Sequence, residues 1–152
     1  MKLLILCLLA GCASGQPQSL KPLIEEFSRL TKRDVKDIDI WFGSPGTLPG
    51  WELPKDEASV IASCYGYIKP LAQQIVIDPK KWVKLDNLAK AVVLWHELYH
   101  CEFESYGHVS EGEVMDCNEY TIPYLMSESH DPSSFTAEHL ECYRNWLIKE
   151  GE

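Results

Sequence analysis

The stretch "LAKAVVLWHELYHCEF", Leu88 to Phe103, constrains this chain more than any other. Asp86 stands just ahead of it as an N-cap, a position where a short side-chain oxygen accepts the unpartnered N–H groups of a first helical turn. From Ala91 to Trp95 the segment is apolar almost all round. A helix of that kind has to lie inside a fold, with other elements wrapped about it. Yet its second half carries His96, Glu97 and His100, polar groups that a buried element cannot hold without partners.

The spacing of these three supplies the partner. Residues i and i+4 share one face of a helix, about one turn apart, so the imidazoles of His96 and His100 can reach a single tetrahedral zinc. A neutral imidazole nitrogen is a good ligand for that ion, and Glu97 comes beside it without having to bind it. Zinc lowers the pKa of water toward neutrality, and the carboxylate takes the proton as the water attacks a carbonyl. The motif therefore predicts a zinc hydrolase holding one zinc, with His96 and His100 as ligands and Glu97 as general base.

Around this helix the remaining elements are short. The segment "LKPLIEEFSRL" places Leu20, Leu23, Ile24, Phe27 and Leu30 on one helical face. "VKDIDIWFG" alternates Val35, Ile38, Ile40 and Phe42 as a half-buried strand ending at Gly43. Residues 43–57 hold three prolines and three glycines and read as loop. "SVIASCYGYI" and "QQIVID" read as two more strands, the second stopped by Asp78-Pro79. Residues 104–132 show no sustained period, and "FTAEHLECYRNWLIKE" closes the chain as an amphipathic helix with Leu140, Tyr143 and Leu147 on its apolar side. The expected class is α+β, a single domain over residues 20–152, a length sufficient for one core.

Composition excludes one class of partner. The net charge is −9, and no stripe of lysine and arginine is present to neutralise phosphates, so nucleic acid is not expected. The first residues read as a targeting segment. "MKLLILCLLAGC" has Lys2, an apolar run from Leu3 to Ala10 and then "LAGC", which resembles the lipobox of bacterial lipoproteins. The resemblance implies a signal peptide over residues 1–11, a lipidated Cys12 and a tether over residues 12–19. It also implies anchoring in the bacterial cell envelope, at the outer membrane facing the periplasm, since Ala13 and Ser14 follow the cysteine rather than aspartate. Loss of Lys2 with the signal takes the charge from −9 to −10. Of six cysteines, removal of Cys7 and commitment of Cys12 leave Cys64, Cys101, Cys117 and Cys142. An even count in an oxidising compartment predicts two disulfides with three connectivities. The expected pairing is Cys101–Cys117, closing the loop after the histidine helix, with Cys64–Cys142 tying a strand to the last helix.

A third zinc ligand has two candidates. In the metzincin layout HExxHxxGxxH, the chain turns after the second histidine and brings back a third. Gly107 and His108 supply such a turn and ligand, although the interval from His100 is eight residues where that pattern has six. In the gluzincin layout a glutamate comes from a second helix, and Glu119 is separated from His100 by eighteen intervening residues. Pro123 argues against a regular helix at "NEYTIPY", and few residues remain for the second subdomain of a gluzincin. "PYLMS", Pro123 to Ser127, resembles the metzincin Met-turn, with Met126 as the floor beneath the metal. His108 is therefore the expected third ligand and Glu119 the alternative.

From Ile38 to the C terminus the chain resembles a compact, matrixin-like family of metallopeptidases found in bacteria and their phages. The landmarks are "IWFG" at Ile40 to Gly43, "SCYGYI" at Ser63 to Ile68, "IVIDPKKW" at Ile75 to Trp82, "WHELYHC" at Trp95 to Cys101, and "YLM" before a tyrosine-containing last helix. Tyr99 departs from the glycine common before the second histidine. The resemblance implies a minimal metzincin-like zincin: a small twisted sheet, a buried HExxH helix, an irregular Met-turn segment and a C-terminal helix. A peptide substrate would lie along the edge strand by main-chain hydrogen bonds. Two other functions share these features: an envelope-interaction lipoprotein with a structural or vestigial zinc site, and an amidase acting on cell-wall peptides. Among the remaining residues, Trp51 is a candidate for substrate contact, His130 a backup ligand, and His139 a surface histidine of the last helix.

Overall fold

The computed structural model describes residues 16–45, 60–65, 73–103, 114–117, 120–123 and 135–152. Their elements follow in the order α1 (Lys21–Thr31), β1 (Asp39–Phe42), β2 (Ala62–Tyr65), β3 (Gln74–Ile77), α2 (Pro79–Trp82), α3 (Asn87–Glu102), β4 (Val114–Cys117), β5 (Tyr120–Pro123) and α4 (Ala137–Glu150). A single 3-10 turn, Gln18–Leu20, leads into α1. The result is a mixed α+β domain. Among the described residues no helix is long and apolar enough to cross a membrane.

A three-stranded sheet with the order β1-β3-β2 lies at the centre. β1 runs parallel to β3, pairing Ile40 with Ile75, and β2 runs antiparallel to β3, pairing Cys64 with Ile75. Ile75, Val76 and Ile77 are fully buried, as expected of a central strand covered on both faces. β1 is shorter than its hydrophobic alternation suggested. Val35 and Ile38 are buried, but they pack in the turn before the strand, because pairing is confined to the four residues of β3.

α3 is the buried helix of the sequence reading. Its Asp86 cap accepts the N–H of Ala89 at 2.8 Å. The helix packs against β2 and β3 on one side and against α1 and α4 on another, while α1 also packs on α4. Trp95, fully buried, donates its indole N–H to the carbonyl of Leu23 on α1 at 3.1 Å. Arg144 of α4 pairs with Glu26 of α1 at 2.8 Å. On α1 the expected face of Leu20, Ile24, Phe27 and Leu30 is buried, with Leu23 partly so.

Three elements lie in segments without a period of their own. Asp78 stops β3, but its carboxylate also accepts the N–H groups of Lys80 and Lys81, and Pro79 opens the short helix α2. Within the segment expected to be irregular, β4 and β5 pair as an antiparallel hairpin, with Cys117 opposite Tyr120.

The ends of α1 and α4 meet at Gly151. A Cβ there would lie 2.4 Å from the carbonyl oxygen of Thr31 and 2.6 Å from its carbonyl carbon, and main chain cannot step aside as a flexible side chain can. Gly151→Ala is expected to destabilise the fold by about 1 kcal/mol, the low end of overpacking costs, because a last helical turn can yield. A denaturant melt with an unchanged midpoint would show that the C terminus is free to move off α1.

Candidate metal centre

Three faces of α3 do three different jobs. Trp95 and Tyr99 point to the helices: Tyr99 stacks on Phe103 at 4.5 Å between ring centroids, lies 4.8 Å from Trp146, and donates its hydroxyl to Glu150 at 2.9 Å. Tyr99 is therefore turned toward α4. Glu97 and Cys101 point to the sheet, where both meet β2. His96 and His100 share the third face.

On that face His96 Nε2 and His100 Nε2 stand 3.0 Å apart, with the rings edge to face at 83°. Two nitrogens bound to a tetrahedral zinc at about 2.0–2.1 Å would be about 3.3 Å apart. A small rotation of either ring opens the pair to that value, so the donors fit the ion. His100 is buried and His96 half-buried, which leaves one side of the pair accessible.

Glu97 is 8 % exposed, and its Oε2 accepts the main-chain N–H of Cys64 at 2.6 Å. Burial pushes its carboxyl up to about 7, and the Cys64 hydrogen bond opposes that rise. A cation at the histidine pair would draw it down again. The direction of the Cys64 N–H follows from the ladder. Asp78 donates to the carbonyl of Ile61, so residues 61, 63 and 65 bond toward β3, and 62 and 64 point outward. Glu97 thus reaches the outer edge of the sheet, beside the histidine-bearing face of its own helix.

The cysteines correct the expected pairing. The bridges are Cys64–Cys101, joining β2 to α3, and Cys117–Cys142, joining β4 to α4, each with Cα atoms 5.7 Å apart. Cys101 follows His100 on a turn that faces the sheet, which places it opposite Cys64 rather than toward the hairpin. Cys142 is buried on the α4 face that meets β4. All four cysteines are bridged, as their even count implied.

No family model, curated protein or solved structure matches this chain.

Several expected site residues lie outside the described residues: His108 and Glu119 as alternative third ligands, Met126, Cys12, His130 and Trp51. Among the described residues no group of three or more His, Cys, Asp or Glu side chains is arranged to hold a metal ion. β5 begins at Tyr120, so no helix runs through "NEYTIPY", in line with the objection raised by Pro123. His139 is taken up in capping. Its N–H donates to the Thr136 hydroxyl at 3.3 Å, and its Nδ1 accepts the Thr136 N–H at 3.4 Å.

Two contributors were missed by motif reading. Cys64 supplies the main-chain donor to Glu97, and Gln73 donates its side-chain amide to the carbonyl of Cys101 at 2.6 Å. "SCYGYI" marked the strand but not which N–H would face outward, because that depends on register. Gln73 shows no pattern of its own.

Proposed function

We propose that the chain is a zinc-dependent peptidase of minimal metzincin-like fold, with His96, His100 and His108 holding one zinc and Glu97 acting as general base. The observation that carries this reading is the convergence of the two Nε2 atoms at 3.0 Å, with a buried carboxylate one residue away on the same turn. Zinc, when bound, supplies the positive charge that polarises the scissile carbonyl and acidifies water.

The residues divide the remaining work. Cys64 occupies Glu97 Oε2, so proton transfer falls to Oε1, which takes a proton from the attacking water and returns it to the leaving amine. β2 pairs only with β3 among the described residues, and Glu97 takes the outward N–H of Cys64, so an extended peptide would add to the outer edge at its Ala62 end by main-chain hydrogen bonds. Met126 is assigned as the floor of the site through the likeness of "PYLMS" to a Met-turn. The two disulfides suit an oxidising compartment. That agrees with a chain anchored through Cys12 at the outer membrane, facing the periplasm.

The test is a zinc determination on the purified full-length chain, followed by a broad peptide library. The expected result is one zinc per chain and cleavage that a chelator abolishes and added zinc restores. An intact zinc site with no cleavage would instead favour an envelope-interaction module with a structural metal. Cleavage restricted to cell-wall peptide amides would favour the amidase.

A further inference from the structure

Cys64 holds α3 twice. Its main-chain N–H donates to Glu97 Oε2 at 2.6 Å, and its sulfur is bonded to Cys101, four residues further along the same helix. Residues 97 and 101 lie on one helical face, so both bonds fix the same turn, the one that also carries His100. We infer that Cys64 is a positioning residue: the Cys64–Cys101 bridge keeps its N–H on the Glu97 carboxylate and thereby sets where that carboxylate stands beside His96 and His100. The catalytic consequence rests on the peptidase reading above; the geometric one does not.

The location of β2 explains why a covalent tie is useful there. It is a four-residue edge strand, bonded along one side to β3, and its outward N–H groups have no neighbouring strand among the described residues. Such an edge is among the first parts of a sheet to open locally. A shift of one residue along β3 would turn the Cys64 N–H inward and leave Glu97 without its donor. The bridge to Cys101 forbids that slip. Gln73, next to β3, holds the Cys101 carbonyl from the neighbouring strand, so the same helix turn is fixed to two strands.

The second disulfide provides the control. The bridges span 37 and 25 residues of sequence, so removal of either relaxes the unfolded chain to a similar extent. A purely structural role predicts similar consequences for both. The experiment compares C64S/C101S with C117S/C142S in the full-length chain. Amide hydrogen exchange at residue 64 is measured after zinc removal by chelation, and zinc content and kcat are measured on the reloaded protein. In C64S/C101S, protection at residue 64 is expected to fall by roughly tenfold or more while the amides of Ile75 and Ile77 keep theirs. Zinc content stays at one per chain and kcat falls at least about tenfold, as misplacement of a catalytic group would cause. C117S/C142S keeps both the protection and kcat.

Equal protection of residue 64 in the two variants, or an unchanged kcat in C64S/C101S, overturns the inference. If C64S/C101S does not fold, Glu97→Ala with the bridge intact decides. Residue 64 must then exchange faster than in the native chain, and unchanged protection overturns the assignment. If the zinc-loaded native chain cleaves no peptide, the peptidase reading fails while the exchange comparison still decides the positioning role.

Discussion

Glu97→Gln is expected to retain one zinc per chain while lowering peptide cleavage by about 10²–10⁴-fold, the usual contribution of a positioned general base. The substitution suits the question because it preserves nearly everything else. The glutamine carbonyl oxygen can still accept the Cys64 N–H that Oε2 accepts now, so the link between α3 and β2 survives. Side-chain volume is conserved, so no cavity opens in a position that is 8 % exposed. What is lost is an oxygen able to take and return a proton. Metal analysis on the same preparation separates two outcomes: zinc lost together with activity would make Glu97 a ligand, and activity kept would place the base elsewhere.

Legibility from sequence varied with the kind of information each element required. α3 was legible because its signals are local and agree: a carboxylate cap at Asp86, an apolar run, and polar residues at helical spacing. β3 was legible for a similar reason, since "IVI" bounded by Asp78-Pro79 has few alternatives. β1 was only partly so, because alternation reports burial, whereas strand length depends on the partner. Val35 and Ile38 are buried without being paired. The β4–β5 hairpin was not legible at all, having neither a clean alternation nor a glycine-containing turn at Asn118-Glu119. The sheet order β1-β3-β2 and the disulfide connectivity were beyond reach, because each depends on which surfaces meet after the chain has folded. The same division runs through the site. The i, i+4 histidines and the intervening acid are a one-dimensional pattern, but the donor that fixes Glu97 comes from a residue 33 positions away.

Zinc should stabilise the native chain, and the increment should depend on the histidine pair. At free zinc about a hundredfold above the dissociation constant, the gain is about 2.7 kcal/mol if the unfolded chain does not bind. In His96→Ala and His100→Ala the increment should vanish, read as loss of the zinc-dependent rise in melting temperature. The two variants should differ once zinc is removed. His96 is half-buried, so its truncation should cost the metal-free fold about 0.5 kcal/mol or less, as at most surface positions. His100 is 6 % exposed, and its truncation leaves a void against the core, so the metal-free protein should melt lower by a clear margin. A zinc-dependent rise that survives in both variants would remove this helix face as the metal site. The same assay assigns the third donor. His108→Ala is expected to abolish the increment and Glu119→Ala to leave it intact, because a helix bearing Glu119 is incompatible with a strand that begins at Tyr120. The opposite result would keep the zinc hydrolase while replacing the metzincin layout with a glutamate ligand carried on the β4–β5 connection.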